Sequence, residues 1–114
     1  MAGKSASDPF DAVRKIGLQL PHVTEATVYG KPALKVRGKM FACMASHKSA
    51  EPDTLVVRTD FEQRDALLAE DPNLYYLTDH YVGYPSVLVR LPRVPAGVLK
   101  DLLGMAYRYV LRGN

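Results

Sequence analysis

The stretch "VYGKPALKVRGKMFACM", residues 28–44, decides the fold. It holds two glycines and four of the chain's fifteen Lys/Arg residues, and no acid. A phosphate-cradling loop of the GxxxxGK[ST] type sits between a strand and a helix, so that backbone N–H groups and the helix N-terminus meet the anion. Here Gly30 and Gly38 are too far apart, Lys39 is followed by Met40, and the residues beyond read as a strand. The stretch is a β-hairpin. "ALKV" and "KMFACM" flank Arg37-Gly38, a tight turn in which glycine takes positive φ at little cost. A two-residue turn sets Val36 opposite Lys39 and Leu34 opposite Phe41. Leu34, Val36, Phe41 and Cys43 then point to the core, with Lys35, Arg37 and Met40 pointing away. Lys39 falls near the turn, its stem over apolar surface.

Upstream, "EATVYG" reads as a strand ended by Gly30 and Pro32. "SDPFDAVRKIGLQL" reads as a helix capped by Ser7 or Asp8, with Pro9 at its first position. Phe10, Val13, Ile16 or Gly17, and Leu20 give its apolar stripe, and Pro21 stops it. Downstream, "SHKSAEPD" is a polar connection and "TLVVR" a strand. Asp60 then caps the helix "FEQRDALLAE", whose buried side is Phe61, the stem of Arg64, Leu67 and Leu68. "LYYLT" and "SVLVRL" are two further strands separated by the loop "DHYVGYP". "PAGVLKDLLGMAYRYVLRG" closes the chain as a long amphipathic helix, with Gly113 after its last apolar turn. The order α-β-β-β-β-α-β-β-α implies an α+β fold in two layers, an antiparallel sheet with helices on one side. At 114 residues the expectation is one domain, 1–114, with residues 1–7 flexible.

Apolar content of 47% and charged content of 24% are ordinary for a globular protein. The one cysteine, Cys43, has no internal disulfide partner, which agrees with a reducing compartment. "MAGKSASDPF" lacks the apolar core of a secretory signal, and no apolar run approaches the roughly 18 residues of a spanning helix. A cytoplasmic protein with no membrane partner is expected. Charge is segregated along the chain. Residues 30–48 carry five Lys/Arg and no acid, residues 49–79 two basic and eight acidic residues, and residues 80–114 five basic residues and Asp101. Such blocks can present one basic and one acidic surface.

From Phe10 to Val110 the chain resembles the YjbR/MmcQ-like family of small bacterial proteins. The resemblance is carried by a helix ending Leu20-Pro21, then Tyr29-Gly30-x-Pro32, then Val36-Arg37-Gly38-Lys39-x-Phe41. It departs from the family pattern in having Leu34 where an aromatic is common and no tryptophan near "SVLVRL". The resemblance implies an α+β domain with a double wing, paired β-hairpins suggested to contact DNA, and it brings no reaction and no cofactor.

Three functional readings follow. In the first, Lys31, Lys35, Arg37 and Lys39 meet DNA phosphates without reading sequence, and Arg90 and Arg93 extend the patch. The bland counterpart is a solubilising hairpin whose lysines deter strand pairing. In the second, the acidic helix or the open sheet face binds a protein partner. In the third, the loop Thr78–Pro85 serves a small ligand or a reaction, with Asp79 tuning His80 and Tyr81 and Tyr84 nearby. Adjacent side chains usually diverge, however, and Asp, Gly and Pro also make a plain turn. Cys43 with His47 or His80 would be a thiol–imidazole pair, although a buried cysteine is ordinarily an inert small hydrophobe. His22, His47 and His80 are dispersed and lack ligand spacing, so no metal site is expected.

Overall fold

The computed structural model describes residues 8–113. The chain runs α1 (Phe10–Gly17), β1 (Val23–Val28), β2 (Lys31–Val36), β3 (Lys39–Met44), β4 (Thr54–Arg58), α2 (Phe61–Glu70), β5 (Tyr75–Tyr76), β6 (Ser86–Arg90), a short 3-10 turn (Leu91–Arg93) and α3 (Ala96–Arg112). The strands form one sheet in the order β1-β2-β3-β4-β6-β5, antiparallel throughout. This is the α+β order expected from the residues. Ser7 and the expected flexibility of residues 1–7 lie outside the described residues.

Local chemistry starts the first two helices, the first at Phe10, with the expected first residue Pro9 just outside it. The Asp8 carboxylate accepts the Phe10 N–H at 3.0 Å, and Asp60 accepts the Gln63 N–H at 2.7 Å. Helix α1 ends at Gly17, earlier than the apolar stripe suggested, and residues 18–21 leave it through turns. Gly17 is where the helix presses on β2. A Cβ there would lie 2.2 Å from Leu34 Cδ1, so only glycine lets the two elements approach so closely. Strand β5 is two residues long rather than the five of "LYYLT", because only Tyr75 and Tyr76 find partners on β6, in Val89 and Leu88.

Both hairpin turns have positive φ at both central residues, 51° and 78° at Tyr29-Gly30 and 53° and 78° at Arg37-Gly38. These are the signs of type I′ turns, whose twist matches that of the strands they join. Val36 pairs with Lys39 as expected, and Lys35 with Met40. Leu34 then pairs with Ala42 rather than Phe41, because the register shifts by one residue. Phe41 is the extra residue of a β-bulge, and Phe41 and Ala42 both reach the helix-covered core. The bulge reverses the phase of the strand beyond it. Cys43 consequently faces away from the helices, with Ala33, Val56 and Leu88, and not into the main core.

The main core lies between the sheet and its helices. Phe10 and Val13 of α1 and Leu99, Leu102, Leu103 and Ala106 of α3 cover Leu34, Val36, Phe41, Leu55, Val57, Val87 and Val89. Helix α2 contributes Leu67, with Leu68 partly buried, at the β5–β6 edge. Phe61, expected on its buried side, is 46% exposed. Asp60 caps the helix one residue before Phe61 and turns it outward, with the Arg64 guanidinium 4.8 Å from its ring. Strands β4 and β6 are buried on both faces, because the loop between β5 and β6 lays Tyr81 over Val56 and Leu88. No helix among the described residues is long and apolar enough to cross a membrane.

Candidate functional site

Side chains of cross-strand partners lie on the same face of the sheet, so the register places every basic residue of the hairpin. Lys31 pairs with Val28 and Lys35 with Met40, and these four lie on the face without helices, alongside Ala33. Lys39 pairs with Val36 and leaves from the opposite face. Arg37 occupies the turn between them. The tip therefore carries Lys35 on one side, Lys39 on the other and Arg37 at its apex, a cationic edge rather than a cationic face. Lys31, Arg37 and Lys39 are exposed and Lys35 is half-buried. None of the four enters an ion pair among the described residues. Lys31 stands apart, six residues from Arg37 along an extended strand, or roughly 20 Å.

Arg90 and Arg93 do not join this edge. By register Arg90 faces Thr54, at the end of the sheet opposite Arg58 and the Arg37 turn. Its Nε and Nη2 each donate at 2.9 Å to the Glu51 carboxylate. Its Nη1 donates to the carbonyls of Pro72 and Asn73, and the guanidinium lies 4.3 Å from the centre of the Tyr76 ring. Arg93 donates to the Asn73 carbonyl at 2.9 Å. Hydrogen bonding to Arg90 holds the Glu51 carboxyl below its ordinary value. Arg90 is thus a structural latch, tying the 45–53 connection and the α2–β5 turn to β6. Arg90→Ala is expected to lower stability by about 1 kcal/mol, through the lost contact with the Tyr76 ring and the lost hydrogen bonds to the Pro72 and Asn73 carbonyls. Urea unfolding of the variant beside the parent protein checks this.

The uncovered face also carries a concavity of about 690 Å³. Its floor is Val28, Met40, Cys43 and Val56, and its rim includes Tyr29, His47, His80, Tyr81 and Tyr84. Tyr29 is 88% exposed, at the tip of the first hairpin. The rings of His47 and His80, far apart in sequence, stack at 3.6 Å with planes 7° apart. Their loops are bound together. The His47 Nδ1 accepts the Ser49 backbone N–H at 3.1 Å, and the Ser49 hydroxyl lies 2.8 Å from Thr78 Oγ1. From the other side Arg64 donates to the Val82 carbonyl at 2.8 Å. Partial desolvation, with the neighbouring His80 and Lys48, keeps His47 below its usual imidazole value.

The arrangement does not make Cys43 a nucleophile. Burial pushes its thiol up to about 11, although Arg58 acts in the other direction. The thiol is therefore protonated at neutral pH and packs as a small hydrophobe. His80 stacks on the His47 ring, and among the described residues its ring donates no hydrogen bond to the Asp79 carboxylate, so the pair that sequence adjacency suggested as a general base does not form there. No group of three or more His, Cys, Asp or Glu residues that could hold a metal occurs among the described residues. Reading the chain alone missed His47, Tyr29 and Arg58 as members of one site. Two come from different connections and the third closes a strand, and only the parity of β4 hints that Arg58 shares a face with Val56.

The YjbR family model matches residues 18–109, from the end of α1 into α3. Uncharacterized proteins of Mycobacterium bovis and Mycobacterium tuberculosis are 43% identical over 42 residues, which span 37% of this chain and 33% of each relative. A crystal structure of a Deinococcus radiodurans protein with a DUF419 domain superposes with a TM-score of 0.74 at 25% identity. That match covers 93% of this chain and 83% of the other.

Proposed function

The chain belongs to the YjbR family, and from that premise we propose that it binds nucleic acid through the tip of the β2–β3 hairpin, by phosphate contacts that do not read sequence. The observation that carries this reading is the cationic edge: Lys35, Arg37 and Lys39 around one turn, with no acid paired to any of them among the described residues. Unpaired Lys and Arg gain most from displacing the counterions of a phosphate backbone. An edge bearing lysines on both sides can lie along a groove and reach phosphates on either flank. Backbone strain agrees with this. Arginine at positive φ costs free energy that asparagine or glycine would largely avoid, and residues kept at such a cost cluster at functional sites. Among the described residues no helix is rich in Arg, Asn and Gln, so affinity without sequence preference is the expected behaviour.

Fluorescence-anisotropy titration of a labelled duplex at several salt concentrations tests the proposal. Three phosphate contacts give a log–log slope of about −2.7, so raising salt from about 50 to 200 mM weakens binding roughly 40-fold. No binding even at low salt would overturn it and leave partner proteins as the line to pursue.

A further inference from the structure

We propose that the concavity on the uncovered face is a binding site for a small, flat aromatic anion, whose oxyanion group meets Arg58 and whose ring lies among His80, Tyr81 and Tyr84. The proposal is independent of the hairpin tip. Its first support is charge. Among the residues lining the concavity, Arg58 is the one formally charged side chain, and no acid pairs with it in the described residues. The Arg58 Nε is buried and has no hydrogen-bond partner, the one such side-chain atom among the described residues. A buried N–H without a partner is costly, and native structures rarely keep one without a purpose. Arg58 is the last residue of β4, and its guanidinium lies 5.9 Å from the Tyr109 ring of α3, so it sits at the end of the sheet beside the mouth of the concavity, positioned without being neutralised. A planar fork of this kind matches the paired oxygens of a carboxylate or phosphate.

The second support is shape and lining. A volume of about 690 Å³ lies within the range of small-molecule sites, roughly 300–1,000 Å³, and an apolar floor with few polar groups is their usual composition. The floor is built from strands, so it is pre-formed. Its walls are two loops fastened to each other through Ser49 and Thr78, and to α2 through Arg64. The stacked His47 and His80 rings and the edges of Tyr81 and Tyr84 offer π surface to a flat ring, whereas an aliphatic chain would leave it unused. With no carboxylate in the lining, a cationic ligand has no counter-charge there.

The test is a titration of the ¹⁵N-labelled full chain followed by two-dimensional NMR. The probes are 2-naphthoate, 2-naphthyl phosphate and the uncharged 2-naphthalenemethanol. The expected result is saturable shifts confined to residues around Cys43, Val56, Arg58 and His80, with a Kd on the order of 100 µM for the better of the two anions. Which anion wins tells carboxylate from phosphate ligands. The neutral analogue binds about tenfold more weakly or worse, and Arg58→Met removes that preference while Arg58→Lys keeps part of it. The spectrum of each variant shows directly whether it is folded. His80→Ala weakens all three probes alike, because it removes ring surface rather than charge. Equal binding of neutral and anionic probes, an unaltered preference in folded Arg58→Met, or no saturable shift at millimolar probe would each overturn the proposal.

Discussion

Reversing Lys35, Arg37 and Lys39 together to glutamate is expected to remove measurable duplex binding at about 150 mM salt and to leave the protein folded. The three side chains surround one turn, so the triple variant turns a cationic edge into an anionic one facing a polyanion. Each lost contact removes a counterion-release contribution, and each new acid adds repulsion. The fold is insensitive because none of the three closes a packing gap or an ion pair. Arg37 and Lys39 are exposed, and glutamate at position 37 bears the same positive-φ cost as arginine. Stability should change by no more than about 1 kcal/mol. Lys31→Glu supplies the internal comparison. At roughly 20 Å from the tip it should weaken binding only modestly. Anisotropy at fixed salt, with thermal melts of both variants, reads the outcome. Retained binding by the folded triple variant would remove the tip as the site.

The largest expected loss of stability comes from Phe41→Ala, about 3–5 kcal/mol. Phe41 is fully buried, and its ring meets the edge of Tyr107 from α3 with centroids 5.8 Å apart and planes at 80°. Truncation removes both the apolar burial and the aromatic pair, at a bulge where the backbone has little freedom to close the void. For a domain of this size the melting temperature should fall by roughly 12–20 °C. Phe61→Ala makes the contrast. Half-exposed at the start of α2, Phe61 should cost less than about 1 kcal/mol on truncation. Equal losses at the two positions in a urea series would contradict the assignment of the core.

Elements whose cause is local were readable from the residues. Gly38 announces its turn because glycine takes positive φ freely and stands between two runs of β-formers. Asp60 announces its helix because a short carboxylate can accept an N–H three residues on. The bulge was not readable, since "KMFACM" is apolar almost throughout and its phase depends on which neighbours each face meets. The same ignorance put Cys43 in the wrong layer. β5 shrank to Tyr75-Tyr76 because pairing with β6, not propensity, sets its length. At the candidate sites the hairpin lysines were legible as a charge block. The partners of Arg90 were not readable, because two of them are backbone carbonyls, which no residue type in a sequence reveals. The apposition of His47 and His80 comes from two connections closing on each other, and spacing carries no trace of that.

The bulge at Phe41 also has a bearing on how such a chain can change length. Strand β3 crosses the sheet with one residue more than its partner, and that surplus decides which layer each later side chain joins. Straightening the strand with every residue kept would turn Cys43 under the helices and move Met44 out, whereas deleting Phe41 or Ala42 removes the surplus and leaves both on their present faces. The 45–53 connection, which runs outside the sheet, can gain or lose residues with no such inversion. An added residue between Lys39 and Met44 should therefore be punished, and a single deletion at the bulge should cost one core side chain rather than the phase of the strand, while the adjoining stretch around Ser46–Pro52 tolerates changes of length better.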